Sequence, residues 1–150
     1  MDTINPNFTG IRTKRLEKVI ANYEKLLSEL DNRELPDDIL NTIDKEIIRI
    51  NSEHNNEAKL YHLVNGSYYR ILKLVRKSMG LVTKNHYLAI WMGIGMAAFG
   101  IPFGVMMGLI LDNMAFMGSG IGIGLAIGLP IGAGMDKKAK EEGRQLDISM

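Results

Sequence analysis

A stretch of 48 residues, 88–135, carries a single charged side chain, that of Asp112. The same stretch holds 12 of the 16 glycines and 7 of the 10 methionines of the chain. A surface helix of a water-soluble domain needs a polar face, and this stretch supplies none. The mean hydropathy of −0.01 therefore averages an almost uncharged segment with a strongly charged one and describes neither.

The uncharged stretch is long enough to form two membrane-spanning helices. Residues 88–111 are 24 uncharged positions, about 36 Å of helix, and residues 114–135 are 22 positions, about 33 Å. Each matches the hydrocarbon thickness of a bilayer, roughly 30 Å. Since only Asp112 and Asn113 separate them, we expect two transmembrane helices joined by a tight turn, with one of these two residues as the N-cap of the second helix.

Small residues recur at helical spacing in both spans, which lets two helix backbones approach closely. If the chain folds back at residues 112–113, facing residues have numbers that sum to about 225, and small residues face small residues along the hairpin. The residues predicted to pack in this way are Gly93, Ala97, Gly100, Gly104 and Gly108 in the first span and Gly118, Gly120, Gly124, Gly128 and Gly132 in the second.

The second span carries another small-residue stripe, which consists of Gly118, Gly122, Ala126 and Gly134. It is shifted by two residues from the first stripe, or about 200° around the helix, so it points the opposite way. A face that cannot reach its own hairpin partner is free for a second copy or for another membrane protein. We expect homo-oligomerisation through this stripe.

Residues 11–84 are expected to form a cytosolic helical region that follows a flexible N-terminus at residues 1–10. Three amphipathic patterns occur at helical spacing. Their stripes are Leu16, Val19, Ile20, Tyr23, Leu26, Leu27 and Leu30; then Leu40, Ile43, Ile47 and Ile50; then Leu60, Val64, Ser67, Ile71, Leu74 and Ser78. The helices could form a small bundle, the favoured interpretation, or an oligomeric coiled coil.

Basic residues flank both spans at the end away from the turn. Those expected at the membrane surface are Arg70, Lys73, Arg76, Lys77, Lys84, Lys137, Lys138 and Lys140. Because the turn has none, the positive-inside rule predicts the cytoplasmic (inner) membrane with both termini in the cytoplasm. Tyr87 and Trp91 lie where an interfacial aromatic belt is expected, and residues 136–150 are predicted to be a basic, polar tail.

The sequence predicts no catalytic, cofactor-binding or metal-binding residue. The absence of cysteine excludes disulfides, thiolate metal ligands and a cysteine nucleophile. His54 and His62 lie near acidic residues, but at no spacing typical of a metal site. No P-loop, zinc-protease or serine-hydrolase motif occurs, and the net charge of +1 does not indicate nucleic-acid binding. We therefore expect a protein that is not an enzyme and has no cofactor.

Residues 118–134 combine alternating glycine and isoleucine with repeated G-x-x-x-G, and a charged segment extends from Asp136 to Arg144. This pattern resembles glycine-zipper two-span bacterial membrane proteins, and the resemblance covers about residues 88–144. It implies a two-helix membrane architecture and self-association. It implies no biochemical activity.

Together these patterns predict a non-enzymatic integral membrane protein whose hairpin anchors a cytosolic helical domain and self-associates or joins a membrane complex. Two alternatives stay open at this point. One is a pore-forming or membrane-permeabilising oligomer of the holin or toxin type, and the other is an accessory or immunity subunit of a transporter. The scarcity of polar side chains in the spans argues against a water-filled pore.

Overall fold

The computed structural model describes residues 13–52 and 56–149. Its helices are α1 (Lys14–Asp31), α2 (Asp37–Asn51), α3 (Glu57–Met79), α4 (His86–Gly95), α5 (Ile101–Ile110) and α6 (Met117–Glu141). A π-helical turn, Met96–Gly100, joins α4 to α5, and a 3₁₀ turn, Met114–Phe116, precedes α6. The predicted order of three helices followed by a hairpin of two long apolar helices is confirmed. The flexible N-terminus predicted for residues 1–10, and His54, lie outside the described residues.

The chain divides into two compact units. The helical unit comprises the described residues up to Leu81 together with Leu146–Ile148. The hairpin unit comprises Val82–Gln145 and also Ser149.

The apolar stripes of α1, α2 and α3 form the core of the helical unit. Its buried residues on these helices are Leu16, Ile20, Tyr23, Leu26, Leu30, Ile39, Ile43, Ile47, Ile50, Val64, Tyr68, Ile71 and Val75. In α2 the stripe begins at Ile39, and the predicted Leu40 is only half-buried. In α3 Val75 is buried in place of its predicted neighbour Leu74, which is half-buried, and the predicted Ser78 is exposed. Both differences follow from the rotation of each helix, because the spacing allows either neighbour to face the core.

Two buried hydroxyl groups satisfy each other inside this core. Ser67 Oγ on α3 donates a hydrogen bond of 3.2 Å to the Tyr23 hydroxyl on α1, and both side chains are fully buried. Burial raises the pKa of Tyr23, since the ionised phenolate would lose its water. Ser67 lies on the buried face of α3, as predicted, and forms a polar pair with Tyr23 within an apolar core.

Local signals begin and end α3. The Asn56 side chain accepts a hydrogen bond of 3.0 Å from the Lys59 N–H, which makes Asn56 the N-cap. Gly80 ends the helix with φ of 68°, a left-handed conformation that glycine adopts without steric cost. The N–H groups of Gly80 and Leu81 then bond to the carbonyls of Arg76 and Val75.

Two short strands correct the all-α prediction. Strands β1 (Val82–Lys84) and β2 (Gln145–Ser149) form a two-stranded sheet, in which the Val82 N–H bonds to the Arg144 carbonyl at 2.9 Å. The predicted polar tail at 136–150 therefore contains the end of α6 and then β2. Within it, Leu146 and Ile148 are buried in the helical unit. Their two-residue spacing is typical of a strand with one buried face.

Candidate functional site: a glycine-packed helical hairpin

The hairpin has two arms that are each long and apolar enough to cross a membrane. The first arm, His86–Ile110, has 25 residues and combines α4, the π turn and α5. The second arm, Met114–Glu141, has 28 residues and consists of the 3₁₀ turn and α6. In the most apolar 18-residue stretch of each arm, the buried share is only 22% for the first arm and 17% for the second. The core helix of a soluble protein is mostly buried, so these arms differ from such helices.

The arms pack backbone against backbone through a glycine face. We define this face as Gly95, Gly100, Gly104, Gly120, Gly124, Gly128 and Gly132. At six of the seven a Cβ atom would lie closer than 3.0 Å to backbone atoms of the opposite arm, and at Gly100 it would lie 3.1 Å from the Gly120 carbonyl oxygen. Only glycine therefore permits the observed approach.

The arms approach closely where Gly124 meets Gly95 and the π turn. A Cβ on Gly124 would lie 2.5 Å from the Gly95 carbonyl oxygen and 2.9 Å from the Gly100 nitrogen. At the open end of the hairpin, a Cβ on Gly132 would lie 2.6 Å from the Leu88 Cα. The close contact thus extends along the arms from the turn region to the start of α4.

The π turn changes two of the predicted pairings, those of Gly93 and Ala97. Gly93 and Ala97 are exposed, and a Cβ on Gly93 would have no neighbour within 4 Å. Gly95 occupies the glycine face instead. The prediction assumed a continuous α-helix, whereas the Ile101 N–H bonds to the Met96 carbonyl five residues back. This wider turn brings Gly95 to the same side as Gly100.

Pro102 accounts for the position of the π turn, because it lacks the N–H that an α-helix would use at this point. From the π turn to the hairpin turn two predicted pairs do meet, because a Cβ on Gly124 would lie 2.9 Å from the Gly100 nitrogen and one on Gly120 would lie 2.5 Å from the Gly104 Cα.

The two remaining predicted packing glycines lie near the turn. Gly108 is buried, and a Cβ there would contact the Met114 and Met117 side chains at 3.5 Å. It therefore faces methionine, whereas the sequence predicts that it faces Gly118. Gly118 itself is exposed, with nothing within 4 Å of a Cβ position.

The second predicted stripe lies on the opposite side of α6. A Cβ added at Gly118, Gly122 or Gly134 would meet nothing within 4 Å, and Ala126 is exposed. We call these four residues the outer small-residue face. Within the hairpin unit it contacts no other element closely, which is consistent with its 200° offset.

Large apolar side chains cover the outside of the hairpin. Among the described residues, the exposed large apolar side chains all lie between Ile90 and Met135, with the exceptions of Ile48 and Tyr69. The hairpin thus has glycine inside and isoleucine, leucine, phenylalanine and methionine outside. A water-soluble helix pair has the reverse arrangement, with its large apolar residues between the helices.

A buried carboxylate joins the arms at their open end. Asp136 on α6 accepts hydrogen bonds from the N–H groups of Tyr87 and Leu88, with Oδ1 at 3.0 Å and Oδ2 at 2.9 Å. These N–H groups are in the first turn of α4, which Asn85 starts without a side-chain cap. Asp136 therefore caps α4 from the other arm and places its negative charge at the positive end of that helix.

Sequence reasoning placed Asp136 in the polar tail and missed this role. A signal was present, because Asp136 continues the four-residue spacing of Gly124, Gly128 and Gly132. A polar residue in register with a packing face has its side chain directed at the partner helix.

The predicted interfacial aromatic residues lie at this same end. The Trp91 indole N–H donates to the Met135 sulfur at 2.9 Å, and Tyr87 contributes its backbone N–H to Asp136. The pKa of the half-buried Arg144 is raised, mainly by its hydrogen bond to Glu142 and also by one to Tyr87. Tyr87 and Trp91 thus connect α4 to α6 and to the segment that follows it.

The predicted surface cations are distributed over both units. Lys73, Arg76, Lys77, Lys84, Lys137, Lys138 and Lys140 are exposed. Arg70 pairs with Glu46 at 3.2 Å in the helical unit. Lys137 and Lys138 pair with acids four residues later at 3.8 and 3.9 Å. Exposed pairs of this kind contribute about 0–1 kcal/mol each, so they hold these lysines only loosely.

Residues 112–113 form the turn between the arms. Asp112 adopts a left-handed φ of 47°, and the Asn113 N–H bonds to the Gly108 carbonyl at 3.0 Å, which closes the end of α5. The Asn113 Oδ1 accepts from the Ala115 N–H at 3.0 Å. Asn113 is therefore the cap residue, and it caps the 3₁₀ turn that leads into α6.

The comparisons with known proteins leave the hairpin geometry as the main guide to function. No match was found among known protein families, curated proteins or solved structures. Among the residues that the structure describes, no three His, Cys, Asp or Glu side chains are grouped as a metal site would require.

Proposed function

We propose that this chain is a non-enzymatic integral membrane protein whose hairpin spans the bilayer and anchors the helical unit. The observation that carries the proposal is the arrangement of the hairpin, with glycine between the arms and large apolar side chains outside. Water-soluble monomers rarely expose contiguous apolar patches larger than a few hundred Å². In hydrocarbon the same surface is solvated, and close backbone contact provides the helix association.

The distribution of basic residues supports one orientation. Lys84, Lys137, Lys138 and Lys140 lie at the open end of the hairpin, while the turn contains Asp112 and no cation. By the positive-inside rule the open end faces the cytoplasm, so both flanking segments and the helical unit lie on that side. In a bacterial cell this corresponds to the inner membrane.

The outer small-residue face supports self-association. Its four residues leave the backbone of α6 open on the side away from the first arm. Another helix can approach this surface closely, because its side chains are no larger than a methyl group. A second copy is the partner that we propose, and another membrane protein would use the same face.

The assembly acts as an anchor or scaffold and not as a pore. Between residues 88 and 135 the side chains that could line water are few, and the Ser119 hydroxyl is already used in a bond to the Phe116 carbonyl. A conducting path needs polar or charged lining groups. Expression is therefore expected to leave the membrane potential intact, and collapse of the potential would favour the pore alternative.

Sided labelling tests the membrane topology. The chain has no cysteine, so one introduced thiol is the only reactive site. Asn113→Cys should react with a membrane-impermeant maleimide in intact cells, whereas Ser78→Cys should react only after permeabilisation. Alkaline carbonate should fail to extract either variant. Extraction with the soluble proteins, or equal labelling of both sites in intact cells, would contradict the proposal.

Cross-linking tests self-association separately. Replacing Gly122 and Ala126 together with leucine fills the outer face and should abolish cross-linked oligomers in membranes, with insertion unchanged. Ile90→Leu is the matched control, because it changes an exposed apolar residue of the first arm without changing its size. Unchanged oligomers in the double variant would show that copies meet elsewhere.

A further inference from the structure

We propose that residues 109–117, the hairpin tip, dock into the headgroup layer of the far leaflet and present only Asp112 and Asn113 to water. This inference rests on the proposed membrane-spanning function. It defines a lipid-binding surface at the turn, and its occupant is the bilayer itself, not a protein on the far side.

The tip has the most exposed large apolar side chains in the described part of the chain. Ile110 is 70% exposed, Leu109 66% and Met114 62%. A turn that projected into water would present these side chains to solvent at a cost of about 25 cal/mol for each Å² of apolar surface. Lipid contact removes this cost.

Backbone N–H groups of the turn are hydrogen-bonded within the protein, as contact with lipid requires. The Asp112 N–H bonds to the Leu109 carbonyl, and the Asn113 N–H bonds to the Gly108 carbonyl. The Asn113 side chain and carbonyl accept from the N–H groups of Ala115 and Phe116. Unpaired backbone groups cost several kcal/mol each in hydrocarbon, so this internal pairing permits the tip to lie at the edge of the apolar layer.

The length of the arms places the tip at that edge. Trp91 Nε1 donates to Met135 Sδ, so the two residues are at one level near the open end. From Trp91 to Leu111 the helix rises about 30 Å, which equals the hydrocarbon thickness. With Trp91 in the near aromatic belt, the turn reaches the far boundary and extends only two residues beyond it.

The charge of the tip agrees with this position. Between Lys84 and Lys137 the chain has no lysine or arginine, and Asp112 is the only charged residue up to Asp136. One exposed carboxylate and one amide can lie among zwitterionic headgroups while the side chains on both sides stay in lipid. Apart from Asp112 and Asn113, the tip offers no polar side chain on the far side to a soluble partner, so recognition by other proteins takes place within the membrane or at the open end.

Spin-label accessibility tests the depth of the tip. Full-length single-cysteine variants are labelled with a nitroxide and reconstituted in vesicles of phosphatidylcholine and phosphatidylethanolamine. The tip variants are Ile110→Cys, Met114→Cys and Asn113→Cys, with Ile101→Cys as a mid-arm control and Ser78→Cys as a water-exposed control. The collision rate with a water-soluble nickel chelate should be at least tenfold lower at positions 110 and 114 than at position 78. Position 113 should lie between these values.

Three results would overturn the inference, and they are distinguishable. Chelate access at 110 and 114 within twofold of position 78, with 101 protected, means that the tip projects into water although the hairpin is inserted. Chelate access at 101 means that the hairpin is not in lipid, which refutes the proposed function as well. Protection at 110 that disappears when the protein-to-lipid ratio is lowered, together with the dipolar broadening between labels, means that a second copy covers the tip.

Discussion

Gly124 and Gly122 provide a matched pair of substitutions for the packing of the hairpin. They lie two residues apart on α6, and each is followed by an apolar residue. A Cβ at Gly124 would lie 2.5 Å from the Gly95 carbonyl oxygen, while a Cβ at Gly122 would meet nothing within 4 Å. Alanine at the two positions is the same chemical change, so any difference between the variants reports the contact between the arms.

The size of the effect follows from these distances. Ordinary contact begins at 3.4 Å, so in Gly124→Ala the arms must separate by about 1 Å. A gap of that size forfeits about a quarter to a half of each nearby dispersion contact, and overpacking typically costs about 1–3 kcal/mol. The higher helix propensity of alanine stabilises the variant by at most about 1 kcal/mol. We expect a net loss of about 1–2 kcal/mol for Gly124→Ala and a neutral or slightly stabilising effect for Gly122→Ala.

Reversible unfolding in mixed detergent–SDS micelles measures this difference. The chain has one tryptophan, Trp91, which contacts Met135 on the other arm, so its fluorescence reports separation of the arms. Far-ultraviolet circular dichroism checks that the helices persist. Gly128→Ala should behave like Gly124→Ala, because its Cβ would meet the Trp91 carbonyl oxygen. Equal stability of the Gly124 and Gly122 variants would refute the conclusion that backbone contact through glycine holds the hairpin.

Three further predictions concern the cap and the helical unit. Asp136→Ala should destabilise the hairpin by about 2–4 kcal/mol, because it leaves two N–H groups without an acceptor. Asp136→Asn should lose about half of that stability. If unfolding monitored by fluorescence shows equal losses for the two variants, the capping role is contradicted. Tyr23 has a raised pKa in the folded state, so its contribution to stability is complete below the unfolded pKa of about 10 and is lost as the pH rises through the folded value. Tyr23→Phe should reduce this alkaline loss in denaturant titrations at pH 9 and above, and an unchanged pH profile would assign the loss to other groups. Ile47→Ala should cost about 2–5 kcal/mol and the adjacent Ile48→Ala less than about 0.5 kcal/mol, since Ile47 is fully buried and Ile48 is 56% exposed; similar losses in thermal unfolding would contradict the core assignment.

Periodicity and charge were sufficient to predict the helices and the two arms. The stripe of α1 and the uncharged spans depend on local spacing, which a single sequence displays directly. The glycine stripe of α6 was predicted correctly as a close-packing face at Gly120, Gly124, Gly128 and Gly132, because α6 is continuous and each glycine is four residues from the next.

The register of the first arm before the π turn could not be predicted in the same way. Pro102 marked a disturbance, but whether the helix kinks, breaks or widens depends on the partner that it packs against. Here a π turn brings Gly95 to the glycine face and leaves Gly93 and Ala97 outside it. Likewise, the burial of Leu146 and Ile148 depends on contacts with residues distant in sequence, which no local pattern specifies.

The uncharged stretch with its small residues determined by itself that the chain has two long apolar helices able to pack closely, because hydropathy and glycine spacing are local properties. The tertiary structure decided that Gly95, and not Gly93 or Ala97, meets the second arm, through a single wider turn beside Pro102. It also decided that Asp136 caps the opposite arm, because a carboxylate acquires that role only when folding brings it to the unpaired N–H groups of another helix.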